Sequence, residues 1–312
     1  MTKISIITAS LNRAGFVEQA IQNVLGQKVL NVEHLIIDGG STDGSIEVYK
    51  RYPHLKVLVE ADRNVYDAFN KGIALASGDV IGILNSDDLY MPGTLQLVLE
   101  CFDSCSELEV VSGGGEYVKE GGSGEYVVVS RYTDKTFLEL DTDMLLRQPP
   151  LVNGRFFRRV VFERLGTFDT NFPVVADREF MMRCAMAGLK NKKVESVFCR
   201  YFLHSDALSH KPEGVGGRVL QENLDCARYF MHSAKTPMAR RMHAHWAAWS
   251  ALQLAIESFR QRSYVATFMR LMSHAPLLMR HLHSLLPMML NQHKQQRLHR
   301  PFLPHEKHHF HP

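Results

Sequence analysis

The chain lacks the features that would place it in several large protein classes. It has no excess of one charge: 36 lysines and arginines face 33 aspartates and glutamates, a formal net charge of +3. That balance excludes a nucleic-acid protein held by bulk electrostatics. No run of about 18 uncharged apolar residues occurs, so no membrane-spanning helix is expected. The apolar run Ile4-Ser5-Ile6-Ile7 is too short for a secretory leader, and a cytoplasmic protein is expected, with contact to a membrane surface left open. Five cysteines (Cys101, Cys105, Cys184, Cys199, Cys226) form no C-x-x-C pair, which suits free thiols in a reducing compartment. Cys101 and Cys105 are spaced to share one buried helix face. No G-x-G-x-x-G follows the first strand-like run, which disfavours a dinucleotide-binding dehydrogenase.

What is present is strand–helix alternation over the first 110 residues. Lys3–Thr8, Val32–Ile37, Lys56–Val59 and Val80–Leu84 read as strands. Phe16–Leu25 and Tyr66–Ala76 carry apolar residues at helical spacing, and Pro92 is placed to open a further helix. Such alternation implies an α/β fold with a mostly parallel sheet, its ligands beyond the carboxyl ends of the strands. Tyr117–Val118 and Tyr126–Val129 flank Gly121-Gly122-Ser123-Gly124 and read as a hairpin. Residues 131–153 read as loop-rich, Asp177–Ala187 as a helix and Val197–Leu203 as a last strand. The expected division is a catalytic domain over 1–211, a helical region over 212–297 and a His/Pro-rich disordered tail over 298–312.

Polar residues gather at the expected strand ends. The first strand runs into Thr8-Ala9-Ser10-Leu11-Asn12-Arg13, and the second into Asp38-Gly39-Gly40-Ser41-Thr42-Asp43-Gly44-Ser45. Glycines there let the backbone approach a ligand. Asp38 is suited to bind a base or ribose, while Asp43 is suited to cap the next helix. The fourth strand ends in Asn85-Ser86-Asp87-Asp88. Adjacent carboxylates are costly to crowd without a cation, and a hard divalent ion would hold a diphosphate there. The bland alternative is an acidic helix start. Asp177-Arg178-Glu179 opens another helix, where a carboxylate is either a cap or a general base.

These motifs, in this order and over roughly residues 3–210, resemble glycosyltransferase family 2. They are Ser5–Arg13, Ile36–Ser45, Glu60–Gly72, Gly78–Asp88, Gly166–Asp169 and Ala176–Phe180. The resemblance implies the GT-A fold with a C-terminal helical appendage, and an inverting single-sugar transfer from a nucleotide-sugar donor to a hydroxyl acceptor. It implies that Thr8, Ser10, Asn12, Asp38, Asp67, Asn70, Lys71, Asn85 and Ser86 contact the donor. Asp87 would bind Mg²⁺ or Mn²⁺ with Asp88 as its supporting neighbour, and Asp177 would be the catalytic base. His204, in the Leu203–His210 segment, would touch the diphosphate or metal, or be structural. A UDP-sugar is the first donor guess, and a glycan or lipid-linked acceptor in polysaccharide biosynthesis the expected partner.

Two positions depart from the pattern. Asn85 stands where the family's D-x-D element begins with Asp, which lowers the charge at the metal. Asn64 replaces a common glycine, and is expected to tolerate a positive φ. The Q-x-x-R-W motif of processive synthases is absent. A sugar-phosphate nucleotidyltransferase would carry a glycine-rich loop after the first strand, which Thr8–Arg13 is not. A non-catalytic sugar-nucleotide-binding relative is the other alternative. In the C-terminal region, Met242, Trp246, Trp249, Leu252, Ile256 and Phe259 form one apolar stripe, and Leu278, Leu282, Leu285 and Met289 another. With Arg240, Arg241, Arg260, Arg262, Arg270 and Arg280 beside them, these helices read as a packed cap or as a surface resting on an anionic membrane.

Overall fold

The computed structural model describes residues 2–122, 125–142, 145, 151–204, 215–234 and 236–298. The tip of the expected hairpin, the Ser205–His210 part of the loop and the tail from 299 lie outside these residues. Among them one nine-stranded sheet organises the chain, in the order β3-β2-β1-β4-β8-β6-β9-β5, with β7 paired to β6. The first four strands, β1 (Ile4–Ser10), β2 (Val32–Asp38), β3 (Leu55–Val59) and β4 (Val80–Ile83), run parallel. β1 and β2 are buried on both faces because helices cover both sides. Ser10 stands opposite Asp38, so their polar ends finish at one edge.

The sheet then becomes mixed. β5 (Leu89–Tyr90) pairs antiparallel with β9 (Asn191–Leu203). β6 (Val110–Glu120) forms a bulged hairpin with β7 (Tyr126–Tyr132) and runs parallel to β9. β8 (Arg155–Arg158) joins β6 to β4. Gly113 permits the β6–β9 packing, since a Cβ there would sit 2.1 Å from the Phe198 ring.

The helices are α1 (Val17–Gly26), α2 (Ser45–Tyr49), α3 (Val65–Leu75), α4 (Thr94–Ser104), α5 (Lys135–Leu138), α6 (Arg159–Leu165) and α7 (Ala176–Met186). α8 (Val215–Ser233), α9 (Pro237–Arg260) and α10 (Tyr264–Leu298) follow. Thr236 caps α9 by accepting from the Ala239 N–H at 3.1 Å, with Pro237 at the first helical position. Leu224 and Phe230 of α8 and Trp246 and Leu254 of α9 share one core with Ile7, Phe157 and Phe180. These helices therefore pack as a cap against the sheet.

Several expectations change. Asn64 lies at φ −167°, in extended backbone. It caps α3 by accepting from the N–H groups of Tyr66 and Asp67 at 3.0 and 3.2 Å. The capping carboxamide, not tolerance of positive φ, is what the position uses. Cys105 ends α4 and is exposed, unlike buried Cys101, because the helix stops one residue before it. Pro92 precedes α4, which begins at Thr94 after Gly93 at φ 80°; the chain first spends Leu89–Tyr90 on a short strand. Residues 131–153 hold more order than a loop-rich reading allows: the end of β7, α5 and a 3-10 turn at Val152–Gly154. Phe259 is exposed rather than packed, while Trp246 and Trp249 are buried as their spacing suggests.

Candidate active site

The parallel strands β2, β1 and β4 deliver three loops to one edge of the sheet. Backbone and side-chain bonds stitch the first two together. The Asn12 N–H donates to Ser41 Oγ at 2.8 Å, and Asn12 Oδ1 accepts from the Thr42 N–H at 2.9 Å. Asn12 achieves this at φ 54°, a left-handed conformation that asparagine tolerates. Asp43 accepts from Ala14 N–H at 2.8 Å and from Ser45 N–H at 3.0 Å. It therefore ties the two loops and also meets the first N–H of α2, from one position before Gly44.

Asp38 is wholly buried and accepts from Gly40 N–H, Ser41 N–H, Ser41 Oγ and Tyr49 Oη, at 2.9, 2.6, 2.7 and 2.7 Å. Tyr49 Oη, its one proton given to Asp38, accepts from the Ser10 hydroxyl at 2.8 Å. Thr8 is equally buried, its Oγ1 3.0 Å from His34 Nε2. Asp38, Ser10 and Thr8 thus form the floor beneath the loops, not their surface.

The β4 end presents Asp87 and Asp88 differently. Asp88 is buried and accepts from Asn85 Nδ2 (2.9 Å), Asn153 Nδ2 (2.7 Å) and the Phe202 N–H (3.1 Å). Burial, then the neighbouring Asp87 carboxylate, push its carboxyl well above the usual range. Asp87 is partly exposed, 3.1 Å from His204 Nε2 and 4.0 Å from the Arg13 guanidinium. His204 stacks on Phe16 with ring centroids 4.9 Å apart, and the Arg13 guanidinium lies over the Phe16 ring, 5.8 Å from its centroid. Ser86, between Asn85 and Asp87 in sequence, is buried.

Asp177 sits in the first turn of α7, past the cap position, which Val175 occupies without a capping side chain. It accepts from the Arg178 N–H at 2.7 Å, and the Tyr66 hydroxyl, which donates to Val174 O at 3.2 Å, lies within its electrostatic reach. Burial raises its pKa against the pull of Arg178. Asn70 positions the segment leading to this helix: its side chain donates to Phe168 O at 2.8 Å and accepts from Phe168 N–H at 3.0 Å. Asp67 of α3 pairs with Arg63 at 3.0 Å, and Lys71 of α3 with Asp62 at 2.7 Å and Glu60 at 2.9 Å, tying the helix to the β3–α3 connection. Tyr117 of β6 lies within electrostatic reach of both Asp88 and Asp177 and stacks on Tyr201 at 4.9 Å. Both acidic centres therefore act on one aromatic residue. A separate cavity of about 610 Å³ lies at the other end of α7, between Met186, Phe230 and His243, away from these carboxylates.

Arg13, Phe16, Tyr117 and Asn153 belong to this arrangement and were not singled out from the sequence. Arg13 was visible at the end of the first loop motif, but nothing in its neighbours said which carboxylate it would meet.

The donor set at Asp87 suits a hard divalent ion. Among the described residues no group of three His, Cys, Asp or Glu side chains forms a closed protein cage. A Mg²⁺-type ion with ligands at about 2.1 Å spaces neighbouring ligands about 3 Å apart and commonly keeps substrate phosphates and waters as the rest of its shell. In this structure Asp87 Oδ2 and His204 Nε2 contact each other directly at 3.1 Å, with the Arg13 guanidinium 4.0 Å from the same oxygen.

A mixed sheet with polar loops at the carboxyl ends of its parallel strands, and helices on both of its faces, is of the GT-A type. A sequence profile of glycosyl transferase family 2 matches residues 5–166, and the chain belongs to that family. It is 28% identical to an uncharacterized glycosyltransferase of Nostoc sp. over 214 residues, 65% of each chain. It is 29% identical to a PGL/p-HBAD biosynthesis glycosyltransferase of Mycobacterium bovis over 188 residues, 58% of this chain and 68% of that one. The alignment thus spans just under two thirds of the Nostoc protein. In fold it is similar to residues 1–349 of TarS from S. aureus, with TM-score 0.58 and 15% identity over 83% of this chain and 72% of that one. It is also similar to the mannosyltransferase PcManGT from Pyrobaculum calidifontis, solved with GDP-Man and Mn²⁺, with TM-score 0.58 and 18% identity over 96% and 84%.

Proposed function

We propose that this glycosyltransferase moves one sugar from a nucleotide-sugar donor to an acceptor hydroxyl with inversion, in polysaccharide or glycolipid assembly. The observation that carries this reading is the partly exposed Asp87 held beside His204 at the end of β4, with Asp88 next to it and both Asp88 and Asp177 within electrostatic reach of Tyr117. In this reading the Asn12–Ser45 loops hold the nucleoside, and Asp38, Ser10 and Thr8 keep those loops in shape. Asp67, Asn70, Lys71, Asn85 and Ser86 act in the same way, by fixing the donor-side backbone. Asp87 and His204 would hold Mg²⁺ or Mn²⁺, with Asp88 supporting them. Such an ion supplies charge neutralisation at the departing diphosphate.

Asp177 takes the proton of the acceptor hydroxyl. The oxygen forms a bond to the anomeric carbon as the bond from that carbon to the diphosphate oxygen breaks, and the nucleoside diphosphate leaves with the electron pair. A carboxyl with a raised pKa is a stronger base than an exposed aspartate, which suits this step. Orientation by the rigid sheet edge supplies the remainder. The named activity of the mycobacterial relative and the UDP, UDP-GlcNAc and GDP-Man complexes of the structural neighbours support the substrate class. All five cysteines are free thiols, which supports a reducing, cytoplasmic setting.

The test is a panel of UDP- and GDP-sugars, with and without Mn²⁺, read by thermal shift and by release of nucleoside diphosphate. One UDP-sugar is expected to stabilise the protein by about 2.7 kcal/mol at about 100 times its Kd, only when the metal is present. Absence of stabilisation and hydrolysis across the panel would defeat the proposal.

A further inference from the structure

The C-terminal helix α10 leaves one face uncovered. Val265, Phe268, Met269, Met272 and Met279 are 79, 62, 62, 59 and 70% exposed. Their spacing places them on one side of the helix, over about 21 Å of its length. The opposite side packs: Leu277, Leu278 and Leu285 meet Ala248 and Trp249 of α9. Arg270 locks this orientation by donating to Leu254 O at 3.0 Å and to Ser258 Oγ. The stripe extends at its start through exposed Phe259 and Tyr264, whose rings meet edge-on at 5.7 Å. A contiguous apolar surface of this kind marks an interaction site.

The charge around it has one sign. Glu257 is followed by no aspartate or glutamate until Glu306, and every charged residue between them is lysine or arginine. Exposed Arg260 and Arg262 stand at one end of the stripe, and exposed Arg280 at the other. The chain as a whole carries only +3, so this segment concentrates positive charge that the rest balances. No helix among the described residues is long and apolar enough to cross a membrane. An apolar stripe with cationic flanks and no acidic residue fits an anionic lipid surface. A second copy of the chain would instead bring like charges together along the stripe.

We propose that α10 lies flat on an anionic bilayer, with the Val265–Met279 stripe among the acyl chains and Arg260, Arg262 and Arg280 at the headgroup phosphates. The proposal is independent of the transfer reaction. It is tested with the full chain by flotation with phosphatidylcholine vesicles and with vesicles that also contain phosphatidylglycerol, at low and high salt. Two variants accompany it, Phe268→Glu/Met272→Glu and Arg260→Gln/Arg262→Gln/Arg280→Gln. These side chains are exposed, so circular dichroism and melting of both variants should match the parent. Binding to the anionic vesicles should exceed binding to the neutral ones about tenfold or more, fall with salt, and drop about tenfold or more in each variant. Equal binding to both vesicle types, binding to neither, or retention in both variants overturns it. So does a dimer, seen by light scattering, that the Phe268→Glu/Met272→Glu variant abolishes while the parent ignores vesicles.

Discussion

Glu33 and Asp177 are acidic groups served by the same sheet, one near the amino end of β2 and the other near the carboxyl edge, and their surroundings are opposite. Glu33 is met by Lys56 Nζ at 2.6 Å, Lys3 Nζ at 3.1 Å, Ser77 N–H at 2.6 Å, Ser77 Oγ at 2.7 Å and the Ser5 hydroxyl. Burial works to raise its pKa, but these donors outweigh it and hold the carboxyl far below its ordinary value. Asp177 has fewer donors, and burial wins. A carboxylate can thus be spent on holding strands together or kept poised for proton transfer, and the number of donors around it decides which.

Breaking the poised end should give the largest effect. Asp177→Asn is expected to lower kcat about 10²–10⁴-fold while leaving donor Kd nearly unchanged, measured by steady-state turnover and calorimetry. The same variant should melt no lower than the parent. A carboxyl whose pKa is raised by folding costs stability above its unfolded pKa, and asparagine removes that cost. A turnover equal to the parent's would remove Asp177 from the reaction. Asp87→Ala comes next: a loss of about 10²–10³-fold in kcat/KM, together with loss of the metal-dependent thermal shift.

The saturated end should respond in stability alone. Glu33→Gln is expected to cost about 1–3 kcal/mol in denaturant unfolding, with donor binding intact. The pH dependence sharpens the contrast. Because folding depresses the Glu33 pKa, its contribution is complete above the unfolded value of about 4.3 and is lost as pH falls below it. The stability gap between parent and Glu33→Gln should therefore narrow steadily on acidification, and a gap that widens instead would contradict the assignment.

The regular half of the fold is legible because local pattern and burial agree there. The β-branched runs at Ile4–Ser10 and Val32–Asp38 and the amphipathic spacing of Tyr66, Phe69 and Ile73 say the same thing at every level. From Val110 onward that agreement lapses. β6 carries Gly113, Gly114 and Gly115, which read as turn formers, yet sits in mid-sheet because Phe198 and the Tyr132 carbonyl occupy the space a side chain would need. β8 is too short, at Arg155–Arg158, to show a period. The carboxylates were findable because they end apolar runs. Asn153 and Tyr117 were not, because only long-range packing brings them to Asp88 and Asp177.

The parallel pairing of β6 with β9 spans 110–119 and 191–203, and it covers one whole side of β6. A ribosome that has delivered the first 190 residues therefore holds a partial sheet with a bare row of peptide groups, open to any extended neighbour. His204 reaches Asp87 only after that row is filled. The strand whose pairing ends that exposure is therefore also the one that carries His204 to Asp87.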